Sequence, residues 1–347
     1  MDIYAVLMAT TMDFIAAYIF GRCGGTDFLG DKAYRNHFFE LYRARAGYGV
    51  FDQEVPWLTG MGRKVGVPLC PGWVDAANAE IREWCWGLCE ASVEKKSRGS
   101  GTGRDQDESV VWNALVSGLE REAEKGRESV LRPWPQTKLY LSAASELMDH
   151  VLAGQETAGL ALTYLVWRLS RRLEVQAELQ AELLGLKPNM QAAVIDGKRS
   201  TEIPDLKQLD NLPVLHAVLI ETLRLHAPIP GPQPRQSPCS GGRIGDYVIP
   251  GGVRVAALAY TLHRDEDVFP DPESWDHTRW LASHATEDEL ARRNKQFWAF
   301  SSGGRMCVGS NFAMHGKCLF HVACIFLRFV SVFFHQRLLT ELTKTQK

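Results

Sequence analysis

The sequence predicts a mainly α-helical protein carrying small β-sheets. Apolar residues recur at helical spacing over Ile3–Phe20, over 74–90, and over a long stretch from 142 to about 173. A further amphipathic helix follows at 174–184, with Glu174, Glu178 and Glu182 repeating every four residues. Strand texture is confined to one region beyond residue 227. There, four prolines in a short run (228, 230, 232 and 234) rule out helix and predict an extended, turning strand. Segments 243–249 and 253–259, joined by Pro250-Gly251-Gly252, read as a hairpin.

The remaining elements follow in order. Gly21 to Gly30 and Pro68 to Gly72 break the early helices. Residues 95–108 (KKSRGSGTGRDQDE) have the composition of a mobile surface loop. Their GSGTG is not a phosphate cradle, because no strand leads in and no apolar helix leads out. Pro213 suits the first turn of a helix that runs to about residue 225. An irregular stretch through Trp280, a polar segment and a last helix after Cys307 complete the chain.

Composition narrows the function classes. The 347 residues are 45% apolar and 23% charged, enough to bury a sizeable core as one large domain or two. A net charge of −2 gives no reason to expect nucleic acid as a partner. The eight cysteines are scattered, unlike a secreted disulfide framework, and point to a reducing compartment. Residues 1–20 carry Asp2 and Asp13 and lack a basic leader, and the apolar stretch 319–334 is broken by His321 and Arg328. Both are expected to be buried or half-buried helices, so no membrane anchor is read.

Three motifs carry chemistry. The first is FSSGGRMCVG, Phe300 to Gly309. A single cysteine that ligates a metal must be a thiolate, and needs surroundings that stabilise an anion. Gly303, Gly304 and Gly309 permit tight turns that aim N–H groups at the sulfur. A helix starting just afterwards adds its positive end, and Arg305 can pair with an anionic group on the same cofactor. The second motif is Glu221-Thr222-Leu223-Arg224, whose Glu and Arg share a helix face and can pair. The third is Ala153-Gly154-Gln155-Glu156-Thr157, where a mid-helix glycine calls for a reason such as close packing on another helix. A P-loop does not fit, since Leu160-Ala161 stands where Lys-Ser/Thr is required.

Together these resemble the cytochrome P450 family. Phe300, Gly303, Arg305, Cys307 and Gly309 fill every position of its haem signature F-x-x-G-x-R-x-C-x-G. The resemblance implies Cys307 as proximal ligand of the haem iron, Phe300 packed beside it, and Arg305 on a haem propionate. Glu221 and Arg224 match the family's E-x-x-R. Residues 275–280 (WDHTRW) resemble its F-x-P-x-R-W segment, departing at the first aromatic and at Thr278, and add Arg279 to a buried structural triad. Ala153, Gly154, Glu156 and Thr157 match the oxygen-activation motif A/G-G-x-D/E-T. That implies a locally opened helix over the haem, with Thr157 holding a water or dioxygen and Glu156 relaying protons. By position, Arg235 is implied on a propionate and residues 229–234 along the substrate pocket. His263-Arg264-Asp265 matches a common family sequence and is expected to be a structural turn. Cys85-x3-Cys89 and Cys318-x2-His321-x2-Cys324 are not metal clusters by spacing.

The resemblance implies a cytochrome P450 fold, incomplete because the N-terminal third is missing. Residues 1–140 would supply middle helices and loops, and 141–226 the long oxygen-activation helix through the E-x-x-R helix. Residues 227–326 would supply hairpin, meander, haem loop and following helix, leaving 327–347 unmatched. Gly316 stands where the family usually has an acid. The implied activity is that of a haem-thiolate monooxygenase with haem b, placing one oxygen atom of O2 in a small apolar substrate. Electrons would come from NADPH through NADPH-cytochrome P450 reductase. The motif style resembles fungal microsomal members, which implies secondary metabolism and the endoplasmic reticulum surface; without an anchor the cytosolic face remains. Two other readings stand beside it. A P450-fold isomerase or dehydratase needs no external electrons, but such enzymes often lose the acid–Thr pair kept here. A truncated, non-catalytic relic would fail to take up haem.

Overall fold

The structure is a computed structural model that describes residues 2–22, 24–97, 109–126, 136–187 and 206–314. It forms two compact units, 1–159 and 160–347, whose boundary falls within one long helix.

The first unit is helical. It contains α1 (Ile3–Phe20), α2 (Lys32–Ala46), α3 (Gly49–Glu54), α4 (Pro56–Lys64), α5 (Gly72–Ser97), α6 (Val110–Glu124) and most of α7 (Gln136–Leu169). Asp2 caps α1 by accepting the Ala5 amide at 3.2 Å. α1 is long and apolar enough to cross a membrane, yet half of it is buried inside this unit, with Leu7, Met12, Ile19 and Phe20 in the core. Asp13 holds the turn that follows, accepting Thr26 Oγ1 at 2.6 Å, the Phe28 amide at 2.7 Å and the Leu29 amide at 3.0 Å. The Phe28 ring is thereby placed edge-on to Phe38, 5.3 Å between centroids, and Trp84 of α5 closes on Phe38 at 4.7 Å.

The second unit contains the end of α7, then α8 (Leu173–Leu184), α9 (Leu206–Asp210), α10 (Pro213–Leu225) and α11 (Ala259–Leu262). α12 (Glu287–Gln296) and α13 (Ser310–Met314) follow, with short 3-10 turns at His277–Trp280 and Gly303–Arg305. Pro213 opens α10 at its first turn. The free amides of Val214 and Leu215 donate to the two oxygens of Glu182 at 2.8 and 2.9 Å. Two of the regularly spaced glutamates of α8 therefore have fixed partners, since Glu178 also meets His277 Nε2 at 3.0 Å. A core of Ala217, Ile220, Phe269 and Trp280 lies beneath Val268, Leu281, Phe297 and Met314.

The strands differ from the hairpin expected over 243–259. β4 (Arg254–Leu258) pairs antiparallel with β1 (Pro232–Gln236), from Pro232 opposite Leu258 to Gln236 opposite Arg254. β2 (Gly242–Ile244) turns back on β3 (Tyr247–Ile249). Gly245, at φ 57°, takes the left-handed conformation that this tight reversal demands, so the segment closes on itself before Pro250. The prolines of β1 stand at alternate positions, 232 and 234, so the other phase of the ladder keeps its N–H groups.

Other boundaries also shift: α7 begins earlier than residue 142, and α5 (Gly72–Ser97) extends past the expected 74–90 at both ends. The loop 98–108, Cys318, His321 and Cys324, Gly316, and the apolar stretch 319–334 lie outside the described residues.

Candidate functional site

In the second unit the chemistry gathers on the loop 297–309. Phe297 leads in, and the Cys307 amide donates back to Phe300 O at 2.9 Å, closing the loop. Two left-handed residues make that closure possible, Gly303 at φ 70° and Ser301 at φ 62°. Ser301 carries a side chain there, a conformation that costs energy and needs outside support. Arg235 of β1 supplies it, donating from Nη2 to Ser301 Oγ at 2.9 Å and to Ser302 O at 3.4 Å. α13 begins three residues after Cys307, and the Ser310 amide donates to Cys307 O at 3.2 Å.

Cys307 is exposed and free of any disulfide. A Cβ added to Gly309 would reach only ordinary contact with the Cys307 sulfur, at 3.8 Å. Arg305, Gly303 and Gly304 are exposed on the same turn. Phe300 packs through its ring on Phe297, 6.4 Å between centroids, rather than standing alone. The donor set is a lone, soft, exposed sulfur, with Arg305 two residues away in the same loop and Arg235 bonded to that loop at Ser301. That set fits a metal centre that takes one thiolate and carries carboxylates of its own. Among the described residues no cluster of three or more His, Cys, Asp or Glu gathers elsewhere. Cys85 and Cys89 are both buried, one helical turn apart on α5.

Behind the loop the structure brings Glu221, Arg224 and Arg279 together. Glu221 and Arg224 are both fully buried, with Nε and Nη2 of Arg224 each 2.8 Å from a Glu221 oxygen. This fork leaves the carboxylate room for the Asp276 amide and Trp280 Nε1, each at 2.9 Å. Arg279 approaches at 3.6 Å through Nε. Its other nitrogens go to the carbonyls of Pro270 and Asp271. Arg224 spends Nη1 on the carbonyls of His263 and Pro272 at 2.7 and 2.8 Å, and Nη2 reaches Ser274 O at 3.1 Å. A buried ion pair is tolerable only when its remaining donors and acceptors are satisfied, and here nearly all are.

The sequence marks His263 as part of a turn, and in the structure its side chain does more. It is fully buried, stacks on Phe297 at 5.4 Å, and bridges Arg224 O to the Trp298 amide. The only sequence signal was its place in His-Arg-Asp, which says nothing about a contact 35 residues ahead.

The first unit holds the acid–alcohol segment. α7 is helical without a break through residues 153–157, unlike the opening implied for it. The Thr157 hydroxyl donates to Ala153 O at 2.7 Å, one turn back in its own helix. Gly154 has a packing reason: a Cβ there would lie 2.8 Å from Ile15 Cγ1 of α1. Thr11 of α1 donates to Gln155 O at 2.9 Å. Glu156 accepts Tyr42 Oη, from α2, at 3.0 Å. Burial, then the Glu156 charge and hydrogen bond, push the Tyr42 phenol up to about 12.

Comparison with known proteins bears on both units. The cytochrome P450 family model matches residues 141–336. A cytochrome P450 monooxygenase of Gibberella zeae, FGM1, is 29% identical over 315 residues, which is 90% of this chain and 56% of that protein. The monooxygenase aflV of Aspergillus parasiticus is 36% identical over 159 residues, 46% of this chain and 28% of its own length. The monooxygenase stcB of Emericella nidulans is 34% identical over 159 residues, with the same coverage. The chain thus spans about half, or less, of the length of these relatives. With a family match over more than half of its residues, laid across the Glu221–Arg224 pair and the Cys307 loop, this chain belongs to the cytochrome P450 family.

Proposed function

We propose that the protein is a haem-thiolate monooxygenase. The observation that carries this reading is the exposed, unpaired Cys307 in a loop closed at Phe300 and braced by Arg235. Cys307 would bind the iron of haem b, and Arg305 and Arg235 would face its propionates. When bound, the haem supplies dioxygen binding and O–O cleavage, which a thiolate ligand favours.

The chain's own residues do the rest. Glu221, Arg224 and Arg279 would brace the backbone behind the Cys307 loop, with His263 tying Arg224 O to the Trp298 amide at the loop's approach. Glu156 and Thr157 stand one residue apart on α7, an acid and an alcohol suited to passing protons. The overall change takes a substrate C–H bond, one O2, two electrons and two protons to a C–OH group and water. The two protons are the ones this pair would deliver. NADPH, through a cytochrome P450 reductase, would supply the electrons. Residues 229–234, where Ile229 is exposed, would line the substrate side. A small apolar metabolite of fungal secondary metabolism is the substrate class, in keeping with relatives named as fungal cytochrome P450 monooxygenases. The endoplasmic reticulum surface is the site of action this reading carries with it.

The test is the carbon monoxide difference spectrum of the reduced, haem-loaded protein. A strongly red-shifted Soret band is expected, and Cys307→Ser is expected to remove it. A folded protein that shows no such band, or a Cys307→Ser variant that keeps it, would sink the ligand assignment.

A further inference from the structure

The acid of the oxygen-activation segment has a partner that the motif does not contain. Glu156 Oε2 accepts a hydrogen bond from Tyr42 Oη at 3.0 Å, across 114 residues of sequence. We propose that Tyr42 is the positioning residue for Glu156, holding its carboxylate in one orientation and controlling when it can take part in proton delivery. The inference rests on the proton-relay reading of Glu156 and adds to it a residue of α2.

Several observations favour a built contact over an incidental one. Tyr42 and Glu156 are both half-buried, so water competes only in part for the bond. The Arg45 guanidinium lies over the Tyr42 ring, 4.7 Å from its centroid, and is itself tied to Asn78 Oδ1 of α5 at 3.0 Å. The phenol is therefore clamped from the ring face while its oxygen points at Glu156. On the other side α7 is fixed against α1, with Gly154 against Ile15, Gly159 against Met8, and Thr11 Oγ1 on Gln155 O. With the helix fixed, the carboxylate torsions are the remaining freedom of Glu156, and Tyr42 restrains them.

The phenol's chemistry suits holding rather than transferring. An ordinary phenol is already protonated across the physiological range, and burial with the Glu156 carboxylate pushes Tyr42 further up, so it donates and does not act as a base. A donor on the carboxylate competes with any water or alcohol that would exchange a proton there. Proton delivery by Glu156 then requires the Tyr42 bond to lengthen or be shared, which makes α2 a control point for the acid.

Tyr42→Phe keeps the ring, its packing and the Arg45 contact, and removes only the hydroxyl. In the haem-loaded protein supplied with NADPH and its reductase, proton delivery out of step diverts dioxygen, with two electrons and two protons, into hydrogen peroxide. Hydrogen peroxide released per NADPH oxidised is expected to change by about tenfold or more in Tyr42→Phe, the scale of one hydrogen bond to a charged group. Its pH profile should shift as well, which a purely structural tie would not produce. In a Glu156→Gln background Tyr42→Phe should have no further effect. A second readout needs no turnover: with ring-labelled tyrosine, the Tyr42 resonance should titrate at about 12 and move down in Glu156→Gln by the share that the carboxylate contributes, while burial, the largest cause, still holds it above 10.0. Unchanged peroxide release and pH profile in Tyr42→Phe would overturn the positioning role. An unchanged Tyr42 titration in Glu156→Gln would overturn the contact itself. A wild-type protein without the thiolate-type carbon monoxide band would instead fail the haem reading, and the titration would still decide the contact.

Discussion

His263 joins the end of α10 to the approach of the cysteine loop: its Nδ1 meets Arg224 O at 2.7 Å while its Nε2 accepts the Trp298 amide, also at 2.7 Å. A carbonyl on one nitrogen and an N–H on the other fix the neutral tautomer with the proton on Nδ1. Burial, with the nearby Arg224 and Arg264 charges, pushes its pKa down to about 4 from the ordinary 6.5.

The sign of the pH dependence follows. Below 6.5 the unfolded chain protonates this histidine, while the folded protein resists until about 4. Between those values the unfolded state binds more protons, so stability falls as pH falls, by roughly 3 kcal/mol in total. His226 also has its pKa lowered to about 4, by burial and Arg168, and acts in the same window. Urea unfolding followed from pH 7 to about 4 should show this decline. His263→Gln should be less stable at neutral pH but lose less on acidification. An equal slope in wild type and variant would show that His263 is not the group responsible.

The Glu221–Arg224 fork predicts an order of damage. Arg224→Ala leaves a fully buried carboxylate without its bidentate partner, which costs about 3–5 kcal/mol. Much of the stability of an ordinary domain would be gone. Arg279→Ala should cost less, because Arg279 reaches Glu221 only at 3.6 Å and its better hydrogen bonds go to carbonyls on an irregular stretch. Thermal unfolding of the two variants gives the comparison. Arg279→Ala proving the more harmful would show that the Arg279 bonds to Pro270 and Asp271, rather than the fork, hold this region together.

Thr157 separates a structural from a chemical role. Its hydroxyl is spent on Ala153 O within α7, a back-bond that adds little to helix stability. Thr157→Ala should therefore leave the unfolding free energy within about 0.5 kcal/mol of wild type. If the hydroxyl serves proton delivery it must leave Ala153, and the same variant should raise peroxide release per NADPH about tenfold. Normal coupling in a well-folded Thr157→Ala protein would remove Thr157 from the relay.

Some of this was legible in the sequence and some was not, for physical reasons. The helix Ile3–Phe20 and the Pro213 helix start show up because periodicity and proline are local signals. The cysteine loop was legible because its glycines and single thiol sit within ten residues. The strand pairing is hidden in the sequence because Pro250-Gly251-Gly252 looks like the reversal, while the left-handed turn at Gly245 makes it. His263 with Trp298 and Tyr42 with Glu156 are long-range hydrogen bonds between ordinary residue types, which leave no periodic or compositional trace. Gly154 lay between: its oddity in a helix was visible, and its partner Ile15 was not.

That partner gives the last prediction. Gly154→Ala should gain up to about 1 kcal/mol of helix propensity. The new Cβ, however, would stand 2.8 Å from Ile15 Cγ1 and 3.1 Å from its Cδ1, both in a packed interior. Overpacking of this kind costs about 1–3 kcal/mol, so Gly154→Ala should be destabilising on balance. Ile15→Ala removes both clashing carbons and leaves a cavity that costs a few kcal/mol by itself, roughly 2–5. In the double variant the clash is gone and the added methyl occupies part of that cavity. Its loss should be smaller than the sum of the two single losses by about 1 kcal/mol or more. Simple additivity in thermal unfolding would mean that α7 and α1 are not in contact at this point, and that Gly154 answers to some other demand on the helix.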